Sequence, residues 1–140
     1  MEIALLVLET AGMLKKAAAE LFKDFGLSPA QFNVLHLLAD QPQGLRAGEL
    51  ASGLLVDPSN ITGLLTRLVR DGLVADGAAT TDGRSRVVKL TTKGRARWAK
   101  AHAAYARALG KLESVLTANE RTVVAKALSK LGRNCHDVLD

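Results

Sequence analysis

Cysteine, aromatic residues and long apolar runs are all scarce in this 140-residue chain, and each shortage removes a class of explanation. A single cysteine, Cys135, cannot form an intrachain disulfide, so a reducing, cytoplasmic setting is expected. Five aromatic side chains in total, three Phe, one Trp and one Tyr, are too few for the stacking platform of a single-stranded RNA reader. The apolar run Ile3–Leu8 is flanked by Glu2 and Glu9, is far too short to span a bilayer, and follows no basic leader, so no membrane partner is expected. His36, His102 and His136 form no H-x3-H or carboxylate–histidine spacing, and no C-x2-C exists, so neither a metal nor another cofactor is expected. Nucleophile elbow, phosphate loop and paired-carboxylate motifs are missing as well, which argues against an enzyme.

What is abundant is Ala, Leu and locally concentrated positive charge. Apolar residues make up 48% and aromatics 4%, a balance that favours helices because Ala and Leu lose little on entering one. At this length one compact domain with a real core is expected. Residues 1–41 carry three basic and five acidic side chains, whereas residues 42–98 carry nine and five. From Arg84 to Lys100 there are seven basic residues and no acidic one, a patch that attracts phosphates in a salt-dependent way.

Apolar spacing predicts a first helix from Glu2 to about Phe25, with Leu6, Met13, Ala17 and Leu21 in line, Leu14, Ala18 and Phe22 beside them, and Gly26 as the stop. Ser28-Pro29-Ala30-Gln31 is a start signal: Ser28 as N-cap, proline at the first position, Gln31 completing a capping box. The helix it opens buries Phe32, Val34, Leu35 and Leu38. A short helix over Ala47–Leu55 follows, with Leu50, Ala51 and Leu54 inward. Asp57-Pro58 starts another, whose period places Ile61, Leu64, Leu65 and Leu68 inside and Ser59, Thr62, Gly63, Thr66, Arg67 and Arg70 outside. That outer face is expected to be free of bulky apolar groups.

Leu73–Ala75 and Arg86–Leu90 read as the arms of a hairpin turning around Thr80–Gly83. Thr91 or Thr92 then caps a helix to about Val115, with Trp98, Ala101, Tyr105, Leu109 and Leu112 on one side. Thr117-Ala118-Asn119-Glu120 opens a last helix that aligns Val124, Ala127, Leu128 and Leu131. A small polar helix face followed by a basic hairpin is what reading duplex DNA requires.

Leu50-Ala51, Ser59-Asn60-Ile61-Thr62, Asp71-Gly72-Leu73-Val74, Asp82-Gly83-Arg84 and Leu90-Thr91-Thr92-Lys93-Gly94, taken in this order, resemble the MarR family of winged helix-turn-helix regulators. The resemblance implies a mainly α fold with a two-stranded β wing and flanking N- and C-terminal dimerisation helices. Residues 1–140 would form a single domain, its DNA-binding lobe at about 44–92 and its dimerisation helices at about 1–25 and 93–140. It further implies a homodimer built on the first, fifth and sixth helices. Such a dimer would bind an inverted repeat in double-stranded DNA, with recognition helices roughly 34 Å apart. Repression would be relieved by a small aromatic or anionic ligand or by oxidation.

Carried over by position, Ser59, Asn60, Thr62, Gly63 and Thr66 match the groove-facing surface, with Asn60 and Thr66 on base edges and Ser59 and Thr62 on phosphates. Arg67 and Arg70 suit phosphate or guanine, Arg84 matches the wing-tip arginine that enters the minor groove, and Arg86 completes the DNA-binding set. Asp82 would orient Arg84 or Arg86. One departure stands out: the family often has arginine just after Gly-Leu-Val, where this chain has Ala75-Asp76-Gly77. Asp76 would repel phosphate unless it pairs with Arg86 across the hairpin.

His36, Arg46, Trp98, His102 and Tyr105 are the candidate effector-binding set, since they mix apolar faces with polar ends; core or dimer packing is the competing role for Trp98 and Tyr105. Cys135 is expected in the last helix beside Arg133 and His136 as an ordinary thiol, because the oxidation-sensing branch places its cysteine near the N-terminus. The alternative function is a winged-helix protein–protein interaction module that does not bind DNA. It calls for an apolar or acidic outer face, and Thr66, Arg67 and Arg70 are neither.

Overall fold

The computed structural model describes residues 2–54, 58–78 and 86–138. In chain order the elements are α1 (Ile3–Lys23), α2 (Pro29–Ala39), β1 (Leu45–Arg46), α3 (Ala47–Leu54), α4 (Pro58–Arg70), β2 (Val74–Ala78), β3 (Arg86–Leu90), α5 (Thr92–Glu113) and α6 (Ala118–Asn134). They fall into two compact units, Met1–Tyr105 and Ala106–Asp140. No helix among the described residues is long and apolar enough to cross a membrane.

Local signals act where the sequence puts them. Past α1 the backbone turns left-handed at Gly26 (φ 66°), a conformation that costs glycine little. Ser28 Oγ accepts the Gln31 N–H at 3.1 Å while Gln31 Oε1 accepts the Ser28 N–H at 2.9 Å, the reciprocal capping box that starts α2. Thr117 and Glu120 repeat it at the start of α6. Asp57 and Leu55 lie outside the described residues, as do Thr80, Asp82, Gly83 and Arg84 of the hairpin turn.

β2 and β3 pair antiparallel, Val74 opposite Leu90 and Ala78 opposite Arg86. The sheet has one strand more than the hairpin: β1 pairs with β3, Leu45 opposite Val88, so β3 is central. Two residues show no alternation, which is why periodicity passes over this strand.

Leu90–Gly94 forms the junction between the hairpin, the end of α4 and α5. Thr91 Oγ1 donates to the Gly72 carbonyl at 2.6 Å and accepts the Gly94 N–H at 2.9 Å, so Thr91 is the cap of α5. A Cβ at Gly94 would run into the Leu73 carbonyl. Only glycine lets α5 lie this close to the start of β2.

The core of the first unit joins Phe22, Phe32, Leu35, Leu38, Leu50, Ile61, Leu68, Leu73, Val88 and Ala101. From α1 only Ala18, Leu21 and Phe22 reach it. Of the apolar residues aligned along α1, Leu6, Met13 and Leu14 are 40–71% exposed. In the second unit α6 buries no residue, and Val124, Leu128 and Leu131 stand exposed.

Candidate nucleic-acid interface

α4 divides as its period requires. Ile61 and Leu68 are buried, with Leu64 and Leu65 packed against them, while Asn60, Thr62, Gly63, Thr66, Arg67 and Arg70 are exposed. Ser59 lies within the helix, and its side chain is outside the described set. Val69 corrects the picture of an outer face without bulky apolar groups, since it is 40% exposed. A Cβ on Gly63 would meet nothing within 4 Å, so that point of the face is open to close approach.

The polar groups on this face are not equally free. Thr66 Oγ1 donates to the Thr62 carbonyl at 2.8 Å, which leaves its lone pairs to accept from a ligand and no proton to give. Arg70 Nε donates to Asp71 Oδ1 at 3.3 Å. Arg67 makes no ion pair among the described residues.

The hairpin supplies the second wall. Between α4 and the sheet runs a cleft of about 330 Å3 lined by Ala47, Thr62, Leu65, Thr66, Val69 and Val88, with Asp76 and Arg86 among its polar groups. Arg86 Nη1 meets Asp76 Oδ2 at 3.2 Å, one step diagonal to the strand register. The partner of Arg86 is thus Asp76 on the facing strand. Sequence reasoning flagged both ends of this pair but not the cleft, because Leu65 and Val69 of α4 meet Val88 of a separate element, β3. Arg84 lies outside the described residues.

The candidate effector residues converge in part. Trp98 Nε1 donates to His36 Nδ1 at 3.2 Å, although 62 positions separate them. The His102 ring stacks on both Trp98 and His36, with centroids 5.1 and 5.3 Å apart. Tyr105 meets Phe22 and Phe32 at 5.1 and 5.7 Å. His102 Nδ1 is buried and has no hydrogen-bond partner among the described residues. Arg46 is the exception: it stands exposed on β1 opposite Val87 and shares no hydrogen bond or ion pair with the other four. Phe32 was missed as a member, although it precedes His36 by one helical turn and stacks on it at 5.7 Å. Cys135 sits at the C-cap of α6, exposed, with Sγ 3.2 Å from the Leu131 carbonyl.

Comparison with known proteins gives this geometry a setting. The MarR family profile matches residues 25–85. The HTH-type transcriptional repressor Rv2887 of Mycobacterium tuberculosis is 31% identical over 127 residues, 91% of each chain. The transcriptional activatory protein BadR of Rhodopseudomonas palustris is 38% identical over 92 residues, which is 64% of this chain and 53% of BadR, so the match spans about half of that relative. Among solved structures, Rv2887 in complex with DNA superposes with a TM-score of 0.74 at 26% identity, covering 94% of this chain and 98% of that one. Rv2887 in complex with salicylic acid superposes with a TM-score of 0.71 at 29% identity, covering 94% and 96%.

Proposed function

Because the chain belongs to the MarR family of DNA-binding transcriptional regulators, we propose that it acts as a homodimeric repressor on a palindromic operator. The observation that carries this reading is the exposed face of α4 with Asn60, Thr62, Thr66, Arg67 and Arg70, of which Thr62 and Thr66 share a cleft with Arg86 of the hairpin. Asn60 offers a donor and an acceptor to a base edge, and Arg67 offers two parallel donors to guanine or phosphate. Thr66 acts there as an acceptor. Ser59, Thr62, Arg70, Arg84 and Arg86 take the phosphate and minor-groove positions. In this reading residues 1–25 and 93–140 supply the dimer contacts and residues 44–92 the DNA-binding lobe.

The effector is a small aromatic or anionic molecule received by His36, Trp98, His102 and Tyr105. The unpartnered His102 Nδ1 gives it a fixed hydrogen-bonding point. Its binding shifts the dimer to a spacing of recognition helices that no longer fits successive major grooves.

The test is a titration of the protein against its own upstream intergenic DNA at two salt concentrations, with Arg67→Ala and Arg84→Ala alongside. Selective, salt-dependent binding to one inverted repeat is expected, with each variant weaker by about ten-fold. Absence of selective binding would overturn the reading.

A further inference from the structure

Four cations of the basic run line two separate clefts. Arg86 belongs to the cleft beside α4, whereas Lys93, Arg97 and Lys100 fall on one face of α5, four and three residues apart. Between them β3 runs five residues, about 15 Å, from Arg86 to Leu90. The second group therefore stands at the far end of the lobe from Arg86.

These three side chains line an open cleft of about 480 Å3 against the Asp24–Gly26 turn that follows α1. The lining holds one carboxylate, Asp24, and among the described residues no ion pair joins it to any of the three cations. Lys93 Nζ gives one hydrogen bond, to the Asp71 carbonyl at 2.9 Å, and has two further protons to donate. Arg97 is half-buried, and its Nη1 lies 3.6 Å from the point a Cβ on Gly26 would occupy. No described residue accepts a hydrogen bond from its guanidinium. A half-buried arginine whose guanidinium finds no acceptor among the described residues, in a cleft it shares with two lysines, is an arrangement that an anion completes.

The anion is defined by the donors. Three cations against one carboxylate leave an excess of two positive charges. A planar five-donor fork with two ammonium groups matches a group with several acceptor oxygens and at least two negative charges. A single carboxylate would leave most donors unmet. We propose that this cleft binds a small molecule through a phosphomonoester or diphosphate group, with Arg97 as the central donor and Lys93 and Lys100 on either side. Since Lys93 also holds the Asp71 carbonyl, an occupied cleft touches the C-terminal end of α4 through one side chain. The site does not depend on the DNA reading.

Isothermal titration of the full chain with sodium pyrophosphate, at constant ionic strength, tests it. Saturable binding to one site per chain is expected. The Arg97→Gln/Lys100→Gln variant should bind about ten-fold more weakly or worse. Lys126→Gln/Lys130→Gln on α6, which removes the same net charge, should leave affinity unchanged, and acetate should give no saturable heat. Circular dichroism confirms that each variant is folded; if the double variant is not, Lys100→Gln alone, at an exposed position, takes its place. Lack of saturable heat, equal affinity in the cleft variant, or equal loss in the α6 variant would each overturn the proposal. So would a cleft variant that loses DNA affinity while the wild type binds no pyrophosphate, since the cations would then serve the nucleic acid.

Discussion

At the scale of single residues, the Asp76–Arg86 pair decides how much positive charge the hairpin can offer. Arg86 keeps 77% of its side-chain surface while Asp76 keeps 27%, so the pair is anchored on one side and open on the other. An ion pair this exposed contributes on the order of 0–1 kcal/mol to stability. Its larger effect is electrostatic: a carboxylate 3.2 Å from Arg86 cancels that cation for any phosphate beyond it. Asp76→Arg removes the cancelling charge and adds a cation. The expected outcome is tighter DNA binding with a steeper salt dependence, the slope of log K against log salt growing by about 1–2. Filter-binding or anisotropy titrations across a salt series check this, and unchanged or weaker binding would count against placing Asp76 near the duplex. Thr66 makes a related point, because its proton is already given to the Thr62 carbonyl.

Between elements, the Leu90–Gly94 junction matters most. Thr91 ties the end of β3 to the turn after α4 and caps α5 in the same stroke, and Lys93 adds a second tie to Asp71. Gly94 makes room for it. In Gly94→Ala the new methyl meets backbone, which cannot swing aside as a side chain end would. A loss of about 3 kcal/mol or more is expected in urea unfolding, with α4 and the hairpin no longer held in register. A stability change under ~0.5 kcal/mol, the range of an ordinary surface substitution, would show that the junction is looser than its geometry.

At the scale of the whole molecule, unpartnered apolar surface is the dominant feature. Ile3, Leu5, Leu8 and Met13 on α1 are 52–71% exposed, and Val123, Val124, Leu128 and Leu131 on α6 are 43–56% exposed. Such faces on terminal helices are what a second copy would cover. Leu128→Glu together with Leu131→Glu places charge in that surface without touching the core of the first unit. Sedimentation should then report a monomer where the proposed assembly of the unaltered chain is a dimer. Affinity for the full inverted repeat should fall toward that of one half-site, about a hundred-fold or more, because the two half-sites no longer act as one ligand. A variant that stays dimeric would move the interface elsewhere.

Much of the architecture could be read directly from the chain. Caps at Ser28 and Thr117, the stop at Gly26 and the proline at the start of α4 all act within four residues of themselves. A linear pattern carries that range in full. The inner and outer faces of α4 followed for the same reason, since one period of 3.6 residues sorts them. What the tertiary structure decided is who meets whom across long separations. Trp98 reaches His36 over 62 positions, Asp76 takes Arg86, Arg46 stands apart from the aromatic cluster, and Leu45–Arg46 joins the sheet as a third strand. Each of these depends on how whole helices pack around the core, and a packing angle is a property of two surfaces that no local pattern contains.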